Sequence, residues 1–336
     1  MNKLTKVGVS ALCGSLAAVS AAHAGEMVVK GGATMTYTSL SEGVTGNPLG
    51  MATNLTFAGS GELDNGSAVA INIAHDDQNG YSASDISLDI AGIGKFTFDQ
   101  GGGTGLDRLD DKMPTAWEET TGTGVGSGIV NVTGVGAQTD IEWAVSSDIL
   151  PEGMGVYLAY SPKADGAKSN DKATSGDANN GVGSGYDVVV DYSGAMEGLS
   201  VFAGMSSIEE NGKDDHASNV YGFTYATGGL TFGVQQSYDG HGDAGATDAY
   251  ENTAYGVSFN VNDDLSISYG QNKSKRESND NATVESTATA KSLQAAYSMG
   301  GATVKIAKTT LDNGSYTVAS TSGDNEGLTV ALSLAF

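Results

Sequence analysis

The chain is poor in cysteine, proline and positive charge: 1 Cys, 4 Pro, and 16 Lys and Arg against 40 Asp and Glu in 336 residues. A single cysteine, Cys13, excludes a disulfide-stapled secreted module. The formal net charge of -24 argues against nucleic acid as a partner, because phosphate binding rests on clustered Lys and Arg. Past the first two dozen residues no run approaches the roughly 20 apolar residues of a membrane-spanning helix, which excludes a helical membrane protein. What is abundant is glycine, 49 residues, about twice its usual share of roughly 7 %. That excess disfavours a helix-rich fold.

The first segment reads as a secretory signal, residues 1–24: Lys3 and Lys6, then an apolar stretch from Val7 to Val19, then the small-x-small site Ala22-His23-Ala24. Its removal takes Cys13 with it and leaves a single acidic domain, Gly25 to Phe336.

From there on the apolar residues recur with period two, the spacing that puts side chains on one face of a strand. Val29, Met35 and Tyr37 alternate with Lys30, Thr34, Thr36 and Thr38; Tyr186, Val188, Val190 and Tyr192 alternate with Asp187, Val189 and Asp191. The pattern predicts sixteen strands. Short turns such as Asp64-Asn65-Gly66, Gly228-Gly229 and Gly300-Gly301 alternate with longer polar loops, including Asp76 to Ser82, Tyr238 to Ala249 and Asn272 to Thr283. The longest loop, Gln100 to Gly136, follows the fifth strand.

A cylinder of sixteen strands is too wide for side chains to fill, so an apolar interior would be a void. Apolar residues outward against lipid and polar residues inward around water remove the difficulty, and closure leaves no unpaired edge. The predicted fold is therefore all-β, a 16-stranded antiparallel transmembrane up-and-down barrel. Parity assigns Lys30, Asp85, Asp89, Lys95, Asp140, Glu142, Asp187, Asp191 and Lys305 to a water-facing pore wall. Aromatic residues near strand ends, among them Tyr37, Tyr160, Tyr225 and Tyr297, suit the headgroup level.

The last ten residues place Leu328, Val330, Leu332, Leu334 and Phe336 at every second position, a pattern that looks like the closing strand and assembly signal of outer-membrane barrels. With the signal peptide, the strand number and the dominant loop after the fifth strand, the chain resembles the general diffusion porins of Gram-negative bacteria, most of all the alphaproteobacterial, Rhodobacter-type porins. That resemblance implies an outer-membrane channel for ions and small hydrophilic solutes. It implies a homotrimer, lipid and lipopolysaccharide contacts, and insertion by the barrel-assembly machinery. It also implies that the long third loop folds into the lumen. There Asp107, Arg108, Asp110, Asp111, Lys112, Glu118 and Glu119 would form the constriction. Acidic inner positions outnumber basic ones, so the expected preference is for cations. Deletion of Phe336 is expected to lower the heat-modifiable, assembled fraction on gels, and normal assembly would count against the signal.

Other readings start from weaker signals. The same loop could plug the barrel and make it a structural or adhesion protein. His75 with a nearby serine could serve a barrel hydrolase, though no orienting partner is evident. His75, His216 and His241 lack metal-ligand spacing, so neither a metal site nor a cofactor is expected. The acidic pairs Glu209-Glu210, Asp214-Asp215 and Asp263-Asp264 offer at most weak Ca2+ or Mg2+ binding.

Overall fold

Alternating apolar and polar side chains build sixteen strands in the computed structural model, which describes residues 26–41, 46–77, 79–165, 181–241, 249–278, 285–317 and 323–335. The expected signal peptide, residues 1–24, and Phe336 lie outside the described residues. The strands are β1 (Glu26–Leu40), β2 (Leu49–Glu62), β3 (Ala68–Asp76), β4 (Asn79–Ile90), β5 (Gly94–Asp99), β6 (Asp140–Val145), β7 (Met154–Ser161) and β8 (Val182–Tyr192). They continue with β9 (Leu199–Glu210), β10 (His216–Thr227), β11 (Leu230–Gly240), β12 (Ala249–Asn260), β13 (Leu265–Glu277), β14 (Ser286–Met299), β15 (Ala302–Asp312) and β16 (Asn325–Ala335).

Each strand pairs antiparallel with its sequence neighbours, and β1 pairs β16, so the sheet closes. The seam runs from Gly32 opposite Ala335 to Leu40 opposite Gly327. On its inner side the Thr34 and Ser333 hydroxyls lie 2.8 Å apart and those of Thr38 and Thr329 3.1 Å apart. Closure satisfies the backbone groups that an open edge would present to lipid.

The apolar parity faces outward. Met51 is 75 % exposed, Ile86 57 % and Leu293 58 %, with Phe57, Ile71, Val234, Ile267 and Ile306 also exposed around the wall. A continuous belt of this kind far exceeds the apolar patches of a water-soluble surface, and it matches a hydrocarbon environment. Ring pairs sit at the short-turn rim: Phe96 stacks on Trp143 with centroids 5.9 Å apart, and Tyr225 lies 5.6 Å from Phe232. Leu328, Val330, Leu332 and Leu334 share the outward face of β16.

Several strands reach further into the expected loops than the periodicity suggested. β11 continues to Gly240 and β13 to Glu277, and of the expected loop from Asp76 to Ser82, Asp76 ends β3 while Asn79 to Ser82 belong to β4. Beyond the lipid both faces of a strand are wet, so Lys273, Lys275 and Glu277 point outward while Asn272, Ser274 and Arg276 point inward. Backbone pairing persists there although the alternation of hydrophobicity has ended.

Candidate functional site

The connection between β5 and β6, residues 100–139, meets inward-facing side chains on most of the wall from β6 to β16. It begins as a short 3-10 turn, Gly105–Leu109, whose amides are held by carboxylates. Gly105 N–H donates to Glu142 Oε2 at 2.7 Å and Leu106 N–H to Asp187 Oδ2 at 2.7 Å. The chain then runs along the wall. Lys112 N–H donates to Gln235 at 3.1 Å on β11, Ala116 N–H to Ser268 at 2.8 Å on β13, and Trp117 N–H to Gln294 at 3.0 Å on β14. Thr123 bonds Ser292 on β14 and Thr309 on β15. On the way back Asn252 Nδ2 donates to Val130 O at 2.8 Å, and Val135 N–H donates to Asp187 at 3.0 Å. Asp187 thereby receives amides from both ends of the loop, with Gly136 N–H at 3.3 Å completing the set.

Apolar packing accompanies these bonds. Leu106 is 0 % exposed and Leu109 2 %, and with Met113 and Val132 they meet Val189, Phe202, Val220 and Ala254 from the wall. Burying a Leu or Val side chain contributes about 1.5–3 kcal/mol, which makes this cluster as strong a fastener as the hydrogen bonds.

The wall makes room by omitting side chains. A Cβ on Gly204 would lie 2.6 Å from Leu106 Cδ1, one on Gly256 3.0 Å from Pro114 O, and one on Gly270 2.1 Å from Thr120 Oγ1. These three inward positions on β9, β12 and β13 form a shallow track for the loop. Gly270→Val should push the loop off the wall, and single-channel recordings should then show an altered and noisier current with the barrel still assembled. A current identical to that of the parent chain would refute the track.

The residues expected at the constriction divide into two groups. Asp107, Asp110, Asp111, Glu118 and Glu119 form one acidic neighbourhood, each feeling at least one other member or a nearby lysine. Burial pushes the Asp111 carboxyl up to about 6, and neighbouring Asp110 adds to the effect. Burial also pushes Glu119 up to about 7, helped by Asp110, Asp111, Glu118 and Asp107. Lys112 is exposed. Arg108, in contrast, is pinned to the wall: its guanidinium pairs with Glu142 and lies 3.9 Å over the Tyr157 ring.

The expected pore wall divides as well. Lys30, Asp89 and Lys95 are exposed, and Asp89 stands opposite Lys95 in register. Asp85 accepts both oxygens' worth of bonding from Asn72 Nδ2 at 3.0 Å, and Asp191 sits beside the Tyr157 hydroxyl. Lys305 lies 5.7 Å from the Trp117 ring centroid. Asp140, Glu142 and Asp187 depart from the sequence reading: they are 1 %, 4 % and 1 % exposed, because the loop covers them. They hold loop groups, Asp140 through Thr104 at 2.9 Å, and do not face open water.

His75 falls on the outward face with Ile71 and Ile73, and among the described residues no carboxylate lies within ion-pairing distance of its ring. Of the acidic pairs, Glu209 accepts from Ser184 at 3.0 Å, Glu210 pairs with Lys213 at 3.6 Å and Asp215 accepts from Ser207 at 3.3 Å. Sequence spacing missed one grouping. Pairing of β10 with β11 brings His216 and His241 to the same carboxylate, Asp239, and the only hint in the sequence was the Asp-x-His step on one strand face.

Solved structures with the same closed barrel settle the architecture. Salmonella typhi OmpF, in complex with daunomycin, aligns with a TM-score of 0.69 at 14 % identity, covering 94 % of this chain and 98 % of that one. An anion-selective porin from Comamonas acidovorans aligns at 0.65 and 16 % identity, covering 93 % and 100 %. The chain has the porin fold. A mutant of the Rh. blastica porin agrees, with a TM-score of 0.62, 15 % identity and coverage of 93 % and 100 %. No protein-family model and no curated protein sequence matches the chain. In this porin fold the loop after β5 meets the inner faces of the consecutive strands β6 to β15.

Proposed function

We propose that the chain is an outer-membrane porin of a Gram-negative bacterium, a water-filled barrel through which ions and small hydrophilic solutes diffuse passively. The observation that carries this reading is the outward apolar belt on a closed sixteen-stranded sheet, combined with a loop fastened to inward-facing side chains. An inner surface of Lys, Asp, Asn, Ser and Thr wants water, and a lumen of this width leaves room for it.

In this reading the loop narrows the channel. Asp107, Asp110, Asp111, Glu118 and Glu119 supply the charge at the narrow point, since Arg108 is neutralised by Glu142. Lys112 and Lys305 offset part of it, and the remaining negative field favours cations. No step of the process needs a nucleophile or a cofactor. The porin resemblance further suggests a homotrimer in contact with lipopolysaccharide, inserted by the assembly machinery.

Reconstitution into a planar bilayer tests the reading. Stepwise, ohmic conductance increments are expected, and a folded, inserted barrel without them would indicate a plug and favour the structural or adhesion role.

A further inference from the structure

We infer that the long-loop rim of the barrel carries a binding site for a divalent transition-metal ion of the zinc type, formed by His216, Asp239 and His241. All three belong to the inward parity: His216 begins β10, and Asp239 and His241 follow the inward positions of β11. His216 Nε2 lies 2.8 Å from Asp239 Oδ1, and His241 Nε2 lies 3.6 Å from Asp239 Oδ2. One ligand atom from each of the three falls within 4.8 Å of the others. A tetrahedral zinc ion with bonds of about 2.0–2.1 Å needs its donors about 3.3 Å apart. The 3.6 Å between His241 Nε2 and Asp239 Oδ2 is close to that value, and with all three donor atoms inside 4.8 Å a small contraction of the half-exposed His241 ring closes the shell.

A plain ion pair would need one histidine. Here two rings address opposite oxygens of one carboxylate with their centroids 4.5 Å apart, so that as neutral bases both can offer a nitrogen to one cation beside that carboxylate. Support from behind is in place: Ser218 Oγ donates to Asp239 Oδ1 at 2.6 Å, leaving Oδ2 for the metal, and the Tyr250 ring packs edge-on against His241 with centroids 5.9 Å apart. Two imidazoles and one carboxylate select zinc, nickel, cobalt or copper over magnesium and calcium, which prefer all-oxygen shells. Each imidazole binds as the neutral base, so any proton on the coordinating Nε2 passes to Nδ1 or to water.

Calorimetric titration of ZnCl2 into the full-length, detergent-folded chain tests the site without reference to conduction. One ion per chain is expected, with no comparable heat from MgCl2. His216→Ala and His241→Ala should each weaken binding more than tenfold, and Ser218→Ala about tenfold through the loss of carboxylate positioning. His241→Gln, closer in size, serves if the alanine variant does not fold, as judged by its heat-modifiable band. Absence of stoichiometric zinc binding, equal binding of magnesium, or undiminished affinity in both histidine variants would overturn the site. Because the readout is binding, a barrel that binds zinc but carries no current would leave this inference standing while removing the channel reading.

Discussion

Under a KCl gradient at about pH 8, the reconstituted channel is expected to show a reversal potential of the sign that marks preference for K+ over Cl-, and to lose much of that preference as the pH falls to about 5. The two groups responsible are Glu119, held up to about 7, and Asp111, held up to about 6. A carboxyl with a raised pKa is charged above that value and neutral below it. Glu119 therefore releases its charge first on acidification and Asp111 next, and the acidic neighbourhood dims in two steps. Potentials of several kT are attainable in a narrow charged cleft, so removing two charges should change the ion ratio severalfold. Glu119→Gln should shift the upper step out of the profile while leaving the lower one. High salt should blunt the whole effect, because the Debye length is only about 3 Å at 1 M. A chloride preference at about pH 8, or a pH-independent reversal potential, would refute this placement of charge.

Replacing Asp187 by alanine should free the loop. The carboxylate takes amides from Leu106, Val135 and Gly136 and is 1 % exposed, so its loss leaves three buried donors without an acceptor. An unsatisfied buried group costs about 1–3 kcal/mol, which puts the total on the order of 3 kcal/mol or more against docking. The barrel itself, held by sixteen backbone ladders, should assemble as before. Trypsin is expected to cut the variant at Arg108, which in the parent chain is held by Glu142 and the Tyr157 ring, and the variant's conductance should rise and fluctuate. Equal protease resistance and an unchanged current would show that the apolar cluster around Leu106 and Leu109 suffices alone.

Strand number and the direction of the two faces could be read from the chain because the lipid enforces them. Val330, Leu332 and Leu334, or Ile267 and Tyr269, must point one way for the barrel to exist in a bilayer. Above the lipid no such enforcement operates, which is why the outer reaches of β11 and β13 read as loop. Parity also says which way a side chain points but not what lies over it. Asp140, Glu142 and Asp187 were placed on the correct face and given the wrong neighbour, a loop instead of water. The His216 and His241 pair needed the β10–β11 register, which spacing along one chain does not supply.

The bare stretch of backbone at Gly204, Gly256 and Gly270 ties two distant parts of the sequence into one part. Calibre is consequently set by subtraction: the strap sinks as deep as the wall's missing methyl groups allow, and only its far side is at liberty to vary. Changes of size on that far side would retune what passes without disturbing the seat, whereas a single added methyl beneath it would move the whole strap at once.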